Sequence, residues 1–272
     1  MIDFFSALFS YGFIIRAFIA GTLISLCASL LGIVLVLKRF SMIGDGLSHV
    51  GFGTMAVAMA FNWAPLAVSV PVCILAAFLL LRVSASSSGV KGDAAIALIS
   101  SSALAIGIIV TSVTSGLNTD VTAFMFGSIL AISRTDVIIS VTLGAVVISL
   151  FVLLYNRIFL VTFDESFATA SGIRSSAYNA LVAVLTALTV VVGMRLMGAM
   201  MISSLIVFPA LSAMRVFKSF LKVVVCAAVL SIVCFTAGMT VSFAWSTPAG
   251  ASIVAANLAA FLICFAAGKT RR

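Results

Sequence analysis

A chain of 272 residues that is 64% hydrophobic and only 8% charged cannot hide its apolar surface in a water-soluble fold, since soluble domains carry roughly 25% charged residues. It reads as an all-α, polytopic membrane protein, with residues 1–272 forming one transmembrane domain. The formal charge of +8 comes from short clusters set between apolar stretches, a pattern that orients spans rather than one that binds nucleic acid.

The chain opens on Met1-Ile2-Asp3-Phe4, without a basic n-region or a small-residue cleavage site, so no removable signal peptide is expected. Residues 1–12 are too short to cross and are expected to lie in the interface as an amphipathic helix. A crossing helix needs about 20 apolar residues. That length places spans near 13–37, 44–62, 64–82, 94–115, 136–156, 178–194, 196–214, 220–244 and 249–267. Between them, 117–135 holds a short apolar piece, Val121 to Ile132, with the pattern of a re-entrant segment. Residues 178–214 must hold two crossings with almost no loop, turning between Gly193 and Gly198. Eight to nine crossings satisfy the pattern.

Threading the spans puts the loops at 38–43, 83–93, 157–177 and 215–219 on one side with the C-terminus. Of the fifteen basic residues, all but Arg16, Arg134 and Arg195 then lie on that side. The positive-inside rule makes it cytoplasmic. The cysteines Cys27, Cys73, Cys226, Cys234 and Cys264 all fall inside apolar spans and lack ligand spacing, so they read as small buried hydrophobes. No G-x-x-x-x-G-K-[ST] phosphate loop, G-x-S-x-G elbow or H-E-x-x-H helix occurs. The loops are too short for a soluble active site, which leaves transport, channel or scaffold roles.

The only histidine, His49, lies four residues after Asp45 in the segment Lys38-Arg39-Phe40-Ser41-Met42-Ile43-Gly44-Asp45-Gly46-Leu47-Ser48-His49. On a helix that spacing puts both side chains on one face. An ionisable pair inside a span is a functional candidate because burying it in hydrocarbon is costly. A carboxylate oxygen and an imidazole nitrogen together suit a divalent cation such as Zn²⁺ or Mn²⁺. The competing reading is a buried hydrogen bond that pins two helices, with Asp45 acting as a helix cap. Pro209, mid-span, reads as a packing kink or as a gate. Met194, Met197, Met200 and Met201 cluster around the expected turn, and adaptable packing is the commoner use of such a cluster.

Gly44-Asp45-Gly46-Leu47-Ser48-His49 resembles the G-D-A-L-S-H pattern of the permease subunit of ABC importers for manganese, zinc and iron. The similarity continues in order through Asp93-Ala94-Ala95-Ile96 with Ala105-Ile106-Gly107, and through Phe126-Gly127-Ser128-Ile129-Leu130 with Asp136. It extends through Phe163-Asp164-Glu165-Ser166-Phe167-Ala168 to Gly172-Ile173, and through Gly198–Ser204 to Phe208-Pro209-Ala210. One departure is that the family's L-P-G after the histidine is replaced by Phe52-Gly53-Thr54, which removes a kinking proline.

The resemblance implies a type II ABC importer-like permease in a bacterial inner membrane, in which Asp45 and His49 contact the transported Zn, Mn or Fe ion. It implies no permanently bound cofactor and no enzymatic activity in this chain. The implied partners are a second copy of the chain, cytoplasmic ABC ATPase subunits and an extracytoplasmic metal-binding protein. The ATPases would touch the 157–177 and 212–222 loops, and the 215–222 stretch, basic and helical in pattern, is the better candidate for the coupling helix. A self-sufficient carrier that relays protons through Asp45 and His49 is the alternative.

Overall fold

A computed structural model of the chain describes residues 12–85, 92–115 and 132–270, and every regular element among them is helical. In chain order these are α1 (Gly12–Leu37), α2 (Ile43–Ala60), α3 (Pro65–Ala85), α4 (Gly92–Ser115) and α5 (Arg134–Leu153). They continue with α6 (Tyr155–Phe163), α7 (Glu165–Ala170), α8 (Ser175–Met197), α9 (Ala199–Val216), α10 (Phe220–Trp245) and α11 (Ala249–Thr270). Uniform helicity follows from the solvent: in hydrocarbon each backbone N–H and C=O must be paired within its own segment.

The nine expected spans fall on the nine long helices, and eight of these are long and apolar enough to cross a membrane. The exception is α2, whose glycines, serine, aspartate and histidine dilute its hydrophobicity. It is instead packed against α3, α4, α8 and α9, so neighbouring helices surround it, although its Asp45 side chain stays half exposed. The expected interfacial helix (residues 1–12) falls, but for its last residue, outside the described residues, as do the Phe126–Leu130 motif and nearly all of the re-entrant segment.

Helices α1, α8 and α9 form the centre. Their fully buried side chains include Ile24, Leu31, Ile33, Met194, Met201, Ile202 and Leu205. Close approach is set by glycine. A Cβ on Gly32 would stand 2.0 Å from the Ile206 carbonyl oxygen, and one on Gly53 would stand 2.4 Å from that of Ala103. Small residues at such crossings replace the hydrophobic drive that is missing between helices in lipid. On the outside, Leu221, Val225, Val229 and Val233 of α10 form an exposed apolar row at four-residue spacing, as a lipid-facing stripe requires.

The turns have local causes. Gly198 alone separates α8 from α9, at φ 91° and ψ 155°, a left-handed φ that glycine adopts without a Cβ penalty. Ser133 and Asp136 form a reciprocal capping box at the start of α5. Asp164 caps α7 by accepting from the Phe167 N–H at 2.8 Å.

One expectation is corrected. The 215–222 stretch is not a helix of its own: α9 runs through Val216, only Phe217, Lys218 and Ser219 intervene, and α10 begins at Phe220. The extra helices α6 and α7 lie instead within 155–170. There the aromatic rings of Tyr155, Phe159 and Phe163 gather around Phe220 and give that connection an apolar seat.

Basic residues among the described ones gather at one end of the bundle. Lys38, at the end of α1, contacts Glu165 at 3.2 Å and the amide oxygen of Asn179 on α8. The Asn179 amide in turn donates to Glu165 at 2.9 Å. Gly268 of α11 packs against the Arg215 carbonyl of α9 at the same end. At the opposite end, the Arg195 guanidinium reaches the buried Asp136 carboxylate at 3.4 Å.

Candidate functional site

Helix α2 starts just after a tight turn in which Arg39, at φ 63°, lets the Phe40 N–H return to the Leu35 carbonyl at 2.7 Å. Asp45 lies in the first turn of α2, where the helix dipole favours a carboxylate. It is not at the edge of the bundle, however. Its neighbour Gly44 packs against Ile206, near the middle of α9, where a Cβ would stand 2.6 Å from the Ile206 Cδ1. The short α1–α2 turn therefore carries the start of α2 inward, and the pair sits level with mid-α9.

The structure brings the two expected residues together. His49 Nε2 stands 3.6 Å from Asp45 Oδ2. That is a close ion-pair distance but longer than a direct hydrogen bond, so the two groups face a common space. The Asp45 side chain is 49% exposed and that of His49 22%. A capping role is excluded, because Met42 holds the N-cap position and makes no side-chain cap bond.

The other oxygen, Oδ1, accepts a hydrogen bond from Ser203 Oγ on α9 at 3.2 Å. The sequence marks Ser203 only as part of the Gly198–Ser204 stretch that carries the resemblance, with no role attached. Behind the site, Ser48 turns away and donates to the Asp45 carbonyl at 2.7 Å. Gly51 accepts the Met194 side chain, with a Cβ position only 2.8 Å from Met194 Cε. Met194, Met197 and Met201 are buried and serve as packing. All five cysteines are free thiols; Cys27, Cys73 and Cys234 are buried as expected, whereas Cys226 and Cys264 are only partly buried.

No cluster of three or more His, Cys, Asp or Glu side chains occurs among the described residues. One chain thus presents a two-donor set: one carboxylate and one imidazole, on one helix face.

Together, fold and site define a multi-pass helical membrane protein with an ionisable pair set inside its bundle. The chain belongs to the ABC 3 transport family, whose profile matches residues 10–268. It is 28% identical over 263 residues to the manganese transport system membrane protein MntC of Halalkalibacterium halodurans, covering 96% of this chain and 89% of that protein. It is 30% identical over 248 residues to the high-affinity zinc uptake system membrane protein ZnuB of Buchnera aphidicola, covering 89% and 92%. Its fold superposes on a chain of PsaBC from Streptococcus pneumoniae, solved in complex with Fab, with a TM-score of 0.87 at 28% identity, covering 97% and 95%.

Proposed function

We propose that two copies of this chain form the translocation pathway of an ATP-driven importer for a divalent transition-metal ion, Zn, Mn or Fe. The observation that carries this reading is the Asp45–His49 pair. It lies level with the middle of α9 in a bundle whose core is mostly apolar, yet its carboxylate stays half exposed. A charge left open at that depth needs water, an ion or a partner chain. Two copies related by a twofold axis would supply two carboxylates and two imidazoles, a four-donor set suited to such an ion.

ATP hydrolysis belongs to separate subunits seated on the basic end of the bundle, against 157–177 and 212–222. Within that surface α6 and α7 are the better seat, because they project as separate helices tied to α1 and α8 through Lys38, Glu165 and Asn179. That end and the C-terminus face the cytoplasm of a bacterial inner membrane, and an extracytoplasmic metal-binding protein loads the ion at the other end. The relatives' names support a metal cargo.

The test is ATP-dependent uptake of ⁵⁴Mn or ⁶⁵Zn by the reconstituted complex. Asp45→Asn with His49→Gln is expected to abolish uptake while assembly and ATPase binding persist. Retained uptake in that double variant overturns the site. Uptake by the permease alone, without nucleotide, would instead establish the proton-relay carrier.

A further inference from the structure

We infer that Ser203 is a positioning residue that biases Asp45 toward one-oxygen coordination and so biases the pathway toward Zn²⁺ over Mn²⁺; this inference rests on the reading of Asp45 and His49 as the transport site. The two Asp45 oxygens have different neighbours: Oδ2 faces His49 Nε2 at 3.6 Å and Oδ1 accepts from Ser203 Oγ at 3.2 Å. A serine hydroxyl has a single hydrogen to give, and in a helix it usually goes to a carbonyl one turn back. The neighbouring hydroxyls obey that habit: Ser204 bonds the Met201 carbonyl at 2.7 Å, Thr186 that of Val182 at 2.7 Å, and Thr189 that of Leu185 at 2.8 Å. Ser203 departs from it. Its distance to the Ala199 carbonyl is stretched to 3.5 Å, so its hydrogen is better placed for the charged acceptor on α2.

The geometry is held by the packing of α2 against α9 rather than by the hydroxyl itself. Ile202, Leu205 and Ile206 anchor α9 in the core. Gly44, immediately before Asp45, sets the α2–α9 spacing through Ile206. Ser203 therefore meets Asp45 at a distance fixed by packing.

The consequence is chemical. The hydroxyl takes one lone pair of Oδ1 and weakens that oxygen as a donor, which leaves Oδ2, the oxygen beside the imidazole, as the preferred ligand. A one-oxygen carboxylate with an imidazole is the donor set of compact, four-coordinate Zn²⁺. Larger ions that accept more oxygen ligands gain from a carboxylate that chelates through both atoms. Removing the hydroxyl frees Oδ1 and makes that second mode accessible.

The experiment compares initial uptake of Mn²⁺ and Zn²⁺ by the complete transporter, permease with ATPase and metal-delivery protein, in proteoliposomes. The same delivery protein serves every variant, so its own preference cancels in the comparison. Ser203→Ala is expected to raise the Mn-to-Zn ratio of kcat/KM about tenfold or more, the scale of one hydrogen bond to a charged group. Ser203→Thr keeps the hydroxyl and is expected to restore the starting ratio. Should Ser203→Ala fail to assemble, Ser203→Val, which has the shape of the threonine variant without its hydroxyl, carries the test with the same expected direction. An unchanged ratio in the alanine or valine variant overturns the inference, as does an equal change for both metals. The control is Asp45→Asn. If it abolishes uptake while the Ser203 variants keep the ratio, the inference alone falls; if it transports normally, the underlying site assignment falls with it.

Discussion

Gly53 gives the sharpest structural test, because its neighbours are backbone on both sides. A Cβ added there would stand 2.4 Å from the Ala103 carbonyl oxygen and 3.1 Å from its carbon. On α4, Gly107 approaches the same spot, with its own Cβ position 2.9 Å from the Gly53 Cα. Carbon and carbonyl oxygen approach no closer than about 3.3 Å in close helix contacts, so Gly53→Ala must push α2 and α4 apart by about 0.9 Å. No side chain can rotate to relieve this. Overpacking costs about 1–3 kcal/mol, and the alanine returns at most about 1 kcal/mol of helix propensity. The net loss is about 1–2 kcal/mol, or a fall in Tm of roughly 2–8 °C for a domain of this size. Because Gly53 lies one turn beyond His49, the same shift should displace the imidazole and lower uptake. Differential scanning fluorimetry of the detergent-purified protein, paired with metal uptake, reads both effects. An unchanged Tm with normal uptake would refute the close packing, and would mean that Gly53 serves as a hinge in place of the family's proline.

At the end opposite the basic clusters, Arg195→Met strips a partner from the buried Asp136 carboxylate. Arg195 is itself partly open to solvent, so the expected loss is about 1–2 kcal/mol rather than the cost of a fully buried pair, read as a lower Tm. A Tm within error of the parent would show that the Ser133 cap alone satisfies Asp136. At the basic end, Glu165→Gln keeps the Asn179 contact but removes the charge that holds Lys38; it is expected to lower metal transported per ATP hydrolysed while leaving basal ATPase activity intact. Equal stoichiometry in parent and variant would exclude this junction from coupling. Cys27 and Cys73 are fully buried, so a maleimide should label them only after denaturation, whereas labelling in the native protein would contradict the α1–α3–α8 packing.

The sequence carried the span positions because hydrocarbon leaves the backbone one solution: about 20 apolar residues become a helix whatever their order. It bracketed the α8–α9 turn between Gly193 and Gly198 in a stretch too short for a loop, and the structure takes the positive φ at Gly198. It also carried the Asp45–His49 pair, since a four-residue spacing fixes a shared helix face without knowledge of any neighbour. Gly53 was legible only as a replaced proline; its close contact with Ala103 needed the second helix to be placed.

What only the tertiary structure decided is which face meets which. Ser203 reaches Asp45 across 158 residues of chain, Lys38 reaches Glu165 across 127, and the helical connection proved to be 155–170 rather than 215–222. In lipid every apolar helix face is nearly as well solvated as any other, so hydropathy cannot choose among pairings. That choice falls to the shapes of small residues and to a few polar contacts, and neither is visible until the helices are set side by side.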